Sequence, residues 1–168
     1  FDTVEAVSQW CQKQGLSIPV GKDSLSMRTS WEQDGESINV VSPVSLIVTA
    51  FAQVGDVRKT LTPQLRTDIG ETCLILLDMG LGKQRMGTSV LAQAFNQVGD
   101  EAPDMDNAEL MLAFFRSVRE LYNDGLVHAY HDRSDGGLLA TVAEMAFAGH
   151  VGVSLNVDML TIDPHAAD

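Results

Sequence analysis

The residues of this chain best suited to chemistry are His131-Asp132-Arg133-Ser134-Asp135-Gly136-Gly137, which set carboxylates, a hydroxyl and two glycines side by side after a short apolar run. If a helix starts near Ser134 to Gly136, its first backbone N–H groups lack intrahelical partners and its dipole is positive there, which favours an anion. Gly136 and Gly137 would let a phosphate approach the main chain with no Cβ in the way. Asp132 then points to a metal. A carboxylate beside a polyphosphate is tolerable when Mg2+ lies between them, and Mg2+ takes one or two carboxylates together with phosphate oxygens and water. The same seven residues also fit a plainer reading, in which Ser134 or Asp135 caps the helix and Asp132 is a solvated turn residue. Residue types and spacing leave both open. His128 and His131 are read as hydrogen-bonded structural residues rather than acid or base, and Asp135 as a charge at the helix entry.

Two elements must hold this stretch. Leu126-Val127-His128-Ala129-Tyr130, after Gly125, has the length and apolar content of a buried strand. Leu138, Leu139, Val142, Met145 and Ala146 recur at spacings of three and four, which predicts a helix with Gly149 at its C′ position.

The rest of the chain divides around a stretch without period. Asp2 and Glu5 have capping-box spacing, and Val4, Val7, Trp10 and Cys11 then share a helical face closed by Gly15. Gly21 to Met27 reads as a glycine turn entering a strand. Asp34-Gly35 is a hairpin signal between a strand ending near Trp31 and one through Ile38 to Val41, and Val44 to Val54 is apolar enough for a central strand. Asp56 to Asp68 reads as linker. Glu71 to Leu77 predicts a buried strand, followed by the glycine loop Asp78-Met79-Gly80-Leu81-Gly82-Lys83, which fits neither the P-loop nor the dinucleotide fingerprint. Helices are expected over 89–98 and 107–123, and a last strand over 151–157. The order strand, helix, helix, strand, helix, strand predicts an α/β layer with helices packed on a sheet.

Composition bounds the function. The chain has 168 residues, 45% hydrophobic and 20% charged, an ordinary globular balance. Its formal net charge of −12 argues against a nucleic-acid backbone or an anionic membrane as the main partner. Cys11 and Cys73 lie far apart with no ligand-like spacing and read as thiols in a reducing compartment. With no apolar run of spanning length and no signal-peptide pattern, the cytoplasm is the expected location. A start on Phe1 and an end on Pro164-His165-Ala166-Ala167-Asp168 suggest a fragment.

Pro19-Val20-Gly21-Lys22-Asp23-Ser24-Leu25-Ser26-Met27 and His131 to Gly137, extended by Ala143-Glu144-Met145-Ala146-Phe147-Ala148-Gly149 and Thr60-Leu61-Thr62-Pro63, closely resemble large-form bacterial formylglycinamide ribonucleotide amidotransferase. The resemblance spans essentially the whole chain. It implies an enzyme of purine synthesis that converts formylglycinamide ribonucleotide, ATP and glutamine to formylglycinamidine ribonucleotide, ADP, phosphate and glutamate. It also implies an α/β (α+β) fold like that of aminoimidazole ribonucleotide synthetase. Residues 1–58 would be the end of a second A subdomain, 59–70 a linker, and 71–168 the start of a second B subdomain. The glutaminase and the remaining domains would lie elsewhere in the same polypeptide.

By the same resemblance Asp132 is an Mg2+ ligand and Ser134 a nucleotide contact. Gly21, Lys22 and Ser24 match a segment lining the nucleotide and substrate site, Gly21 and Lys22 toward nucleotide and Ser24 toward substrate. Short-form relatives carry Asn where Lys22 stands, so Lys22 is assigned to phosphate rather than metal. ATP phosphorylates the substrate amide oxygen and ammonia displaces the phosphate, so no side-chain nucleophile is expected and no catalytic residue is assigned. The family has two pseudo-equivalent nucleotide sites, one catalytic and one structural. Asp132 and Ser134 are expected at the structural one, and the sequence leaves open a scaffold module whose catalysis lies in the other copy. The isolated fragment is expected to be inactive.

Overall fold

The computed structural model describes residues 1–160, which fall into two units, Phe1–Gly55 and a second beginning at Asp56. The first unit opens with α1 (Asp2–Gln14), whose C-cap Gly15 turns left-handed at φ 68° while Leu16 N–H reaches back to the Cys11 carbonyl at 2.9 Å. No capping box forms. Phe1 is the N-cap and Asp2 already lies in the first turn with Glu5, so both carboxylates act as charges on the positive helix end rather than as caps.

β1 (Arg28–Gln33) and β2 (Glu36–Val41) pair antiparallel, with Trp31 opposite Ile38 and Gln33 opposite Glu36. Asp34 and Gly35 have φ of 54° and 84°, the two positive values that a two-residue turn of the tight hairpin type demands. Ser30 Oγ donates to Asn39 Oδ1 across the ladder at 2.6 Å. The strand expected over 44–54 is not formed, and Ile47 and Phe51 are about nine-tenths exposed. An apolar β-branched run becomes a strand only where a neighbour satisfies its amides. Among the described residues this one has no ladder partner.

The second unit is helical. α2 (Val90–Ala94) is capped by Ser89, whose Oγ accepts from Ala92 N–H at 3.1 Å. It is shorter than the span expected over 89–98, because the chain reverses at Asn96, with φ 52°. α3 (Ala108–Asn123) is capped by Asn107 Oδ1, which accepts from the amides of Glu109 and Leu110 at 3.0 and 2.9 Å. It stops in a two-bond reversal, Gly125 N–H to the Tyr122 carbonyl at 3.0 Å and Leu126 N–H to the Leu121 carbonyl at 2.9 Å. Lys83 Nζ, at 2.7 Å, and Arg85 both donate to Asp106, tying the glycine loop's exit to the residue before that cap.

α4 (Gly137–Gly149) follows, and its residues Thr141 and Met145, with Gly87, are the buried positions among those described. Gly149 is not the C′ residue. It is the last helical residue, and His150 takes the left-handed conformation at φ 54°. The glycine is used for contact instead, since a Cβ there would lie 2.7 Å from the Leu65 carbonyl oxygen. The strands expected over 71–77, 126–130 and 151–157 are likewise unformed; the last is followed by a single 3-10 turn, Asp158–Leu160. Beyond the Leu126 N–H that closes α3, one backbone bond among the described residues, Tyr130 N–H to the Thr62 carbonyl at 3.0 Å, joins 126–130 to another segment, which is too little for a ladder. The fold is therefore α+β, with its sheet confined to the hairpin among the described residues. No helix among them is long and apolar enough to cross a membrane.

Candidate functional site

The stretch from Tyr130 to Gly137 enters α4 directly, and its side chains are distributed as an extended chain requires. Residues two apart share a side. Tyr130 Oη donates to Asp132 Oδ1 at 2.6 Å, whereas the alternate residues His131 and Arg133 reach elsewhere. His131 Nε2 lies 2.5 Å from Glu144 Oε2 on α4, and Arg133 Nη2 donates to Asp78 Oδ1 at 2.9 Å. Thr141, one turn into α4, donates its hydroxyl to the Gly137 carbonyl at 3.0 Å and lies 3.4 Å from the Asp132 carbonyl. Burial, then the bond to the Asp132 carboxylate, pushes the Tyr130 phenol up to about 12. The neutral hydroxyl is thus the native form. The stability it contributes is fully present below the ordinary tyrosine value of about 10 and is lost as pH rises through about 12, where the bound phenol ionises.

The N-terminus of α4 bears on the capping role considered for this stretch. Its N-cap is Gly136, at φ 83°, and no side chain caps it. Ser134 supplies its carbonyl, not its hydroxyl, to the turn, accepting from Gly137 N–H at 3.0 Å. The cap role considered for Ser134 or Asp135 is therefore not taken up, and among the described residues no side chain makes a capping hydrogen bond there. The two glycines differ. At Gly136 a Cβ would meet Ala140 Cβ at 2.5 Å, so this glycine is required by the helix itself. At Gly137, with φ 63°, nothing lies within 4 Å of the Cβ position, and that is where a ligand could approach.

No group of three or more His, Cys, Asp or Glu side chains able to hold a metal occurs among the described residues. Asp132 accordingly offers one exposed carboxylate. A lone carboxylate fits Mg2+ that keeps its waters and is shared with phosphate oxygens, and does not fit a self-sufficient protein cage. The glycine loop behaves differently. Asp78 accepts from Gly80 N–H at 3.0 Å and Gly82 N–H at 2.7 Å, so its own carboxylate occupies the amides a phosphate would need. Partial burial works to raise the Asp78 pKa, but those two amides and Arg133 together outweigh it and hold it below the usual range.

Of the remaining site residues, Gly21, Lys22 and Ser24 lie in the first unit, in the exposed segment between α1 and β1, where Lys22 Nζ donates to Ser24 Oγ at 2.9 Å. Asp132, Ser134 and Gly136 come together in the second unit. Sequence reasoning missed Tyr130, Thr141, Glu144 and Asp78 as partners of this stretch. Only the first had a local signal, its spacing of two from Asp132 along an extended run.

A helix followed by a hairpin, and then a helical unit whose third helix, α4, begins without a side-chain cap after an exposed aspartate, define an α+β protein. Residues 74–168, more than half of the chain, match the family model AIR synthase related protein, C-terminal domain, and the chain belongs to that family. Residues 1–53 match the FGAR-AT PurM_N-like domain. Together the two matches identify the synthetase region of formylglycinamide ribonucleotide amidotransferase, a ligase family of purine biosynthesis.

Proposed function

We propose that this chain forms part of the ATP-dependent ligase that converts formylglycinamide ribonucleotide, glutamine and ATP to formylglycinamidine ribonucleotide, and that residues 132–137 hold Mg2+ and nucleotide phosphate for it. One observation carries the reading: an exposed carboxylate already fixed at one oxygen stands five residues before a helix whose first amides no side chain caps. Asp132 would hold the cation, while the amides after Gly137, with Ser134, take phosphate oxygens. In the first unit Gly21 and Lys22 would contact nucleotide and Ser24 substrate; the ammonium of Lys22 would neutralise phosphate charge directly. When bound, Mg2+ and nucleotide supply the charge neutralisation on which phosphoryl chemistry depends. The protein's part is to orient and to exclude alternatives.

A second reading, that the nucleotide here is a structural element and turnover belongs to the other pseudo-copy, is favoured by the engagement of His131 and Arg133 with Glu144 and Asp78. Neither is left to act on a substrate. Residues 1–58 and 71–168 are taken as the A-type and B-type parts, with 59–70 between them, working in the cytoplasm beside the rest of the polypeptide and its glutaminase.

The test is ADP binding by the full-length protein in equilibrium dialysis. Removing Mg2+ with EDTA should weaken it by at least about tenfold, and equal binding with and without the cation would end the proposal. These 168 residues alone should make no formylglycinamidine ribonucleotide from ATP, substrate and ammonium. Product from them would show that neither a second copy nor a glutaminase is required.

A further inference from the structure

We infer that Tyr130 is a positioning residue for Asp132, holding the carboxylate through Oδ1 so that it meets a divalent cation already oriented. The inference rests on the proposed role of Asp132 and adds a residue to it. Its basis is the pairing pattern along 130–133. His131 has an acidic partner in Glu144 at 2.5 Å and Arg133 one in Asp78 at 2.9 Å. Asp132 is bound instead by a neutral hydroxyl, at 2.6 Å, and among the described residues its carboxylate has no ion-pair partner. A carboxylate held in place yet left charged is what a cation needs from a protein ligand. A salt bridge would have cancelled that affinity, and a free side chain would lose rotamer freedom on binding.

Tyr130 is itself well placed for the task. Its ring is half-buried, and its main-chain N–H is fixed to the Thr62 carbonyl at 3.0 Å. Asp132 is also steadied at its main chain, where Thr141 Oγ1 lies 3.4 Å from the carbonyl. The hydroxyl therefore joins two anchored points, and removing it frees only the carboxylate. Tyr130→Phe keeps the ring and its packing.

The experiment is a double-mutant cycle in the full-length protein with Tyr130→Phe, Asp132→Asn and the double variant, using ADP and Mg2+ as probes. Three quantities are read: the Mg2+ concentration at half-saturation of ADP binding, the Mn2+ bound as followed by electron paramagnetic resonance, and the melting temperature without nucleotide. Tyr130→Phe should raise the Mg2+ midpoint by about tenfold, the lower end of what loss of an outer partner costs a metal site. It should leave the nucleotide-free melting temperature near wild type, and add nothing in the Asp132→Asn background. A midpoint unchanged by Tyr130→Phe, while Asp132→Asn raises it, would overturn the positioning role and leave the metal role intact. An equal effect of Tyr130→Phe in both backgrounds would also overturn it, because the hydroxyl would then act elsewhere. No effect of Asp132→Asn would bring down the underlying reading as well.

Discussion

Asp132→Asn in the full-length protein is expected to strip bound nucleotide during purification and to raise the Mg2+ requirement for rebinding ten- to hundredfold or more. Losing an outer partner of a metal ligand already costs about ten- to hundredfold, and the ligand itself should cost at least as much. The substitution keeps an oxygen and the size of the side chain but removes the charge that lets a polyphosphate lie nearby. Stability should follow. A ligand present at a hundred times its dissociation constant contributes about 2.7 kcal/mol, so a hundredfold loss of affinity would remove roughly 2 kcal/mol of it. The readouts are nucleotide content after purification and melting temperature with and without ADP. If the site is structural, stability falls and turnover per folded molecule is kept; if it is catalytic, turnover falls first. Ser134→Ala should have a smaller effect, about 0.5–1.5 kcal/mol for one hydrogen bond. Equal nucleotide content in both proteins across a range of Mg2+ concentrations would leave the joint before α4 as architecture alone.

Local signals in the sequence predicted local structure. Asp34-Gly35 specifies its turn through two residues tolerant of positive φ, and Asn107 and Gly125 mark the ends of α3 through bonds made within a few residues. The strands over 44–54, 71–77, 126–130 and 151–157 were misjudged for the opposite reason. Their apolar, β-branched runs describe a surface awaiting a partner, and whether a ladder forms depends on residues far away in sequence. Leu74, Ile75, Leu76 and Leu77 are each more than a third exposed, the same pattern without the neighbour. The site divides similarly. Asp132 and the glycines could be singled out because the apolar period of α4 predicts where that helix starts, and they immediately precede or open it. Glu144 and Asp78 were not, since a helix face and a distant loop become partners of His131 and Arg133 only once the chain has folded.

Gly149→Ala is expected to loosen the packing that supports the site from the other end of α4. Two effects oppose each other. Alanine favours a helix over glycine by about 1 kcal/mol in an interior position, and less at a last residue such as this one. Against that, the new Cβ would lie 2.7 Å from the Leu65 carbonyl oxygen and 3.0 Å from both its Cβ and its amide nitrogen. Two of these three atoms are backbone, so no rotamer change relieves the contact, and the 62–66 segment must move. Overpacking of this kind costs about 1–3 kcal/mol, which should exceed the propensity gain and leave a net local loss near 1 kcal/mol. The consequence reaches Asp132 through the chain. Thr62, three residues before Leu65, accepts the Tyr130 N–H, and Tyr130 holds the carboxylate. Hydrogen exchange on the full-length protein should show the Tyr130 amide and the last turn of α4 exchanging roughly five- to tenfold faster, as a local loss of that size implies. Slower exchange at both places would mean that Leu65 yields freely and that helix propensity, not contact with the 62–66 segment, decides the residue at position 149.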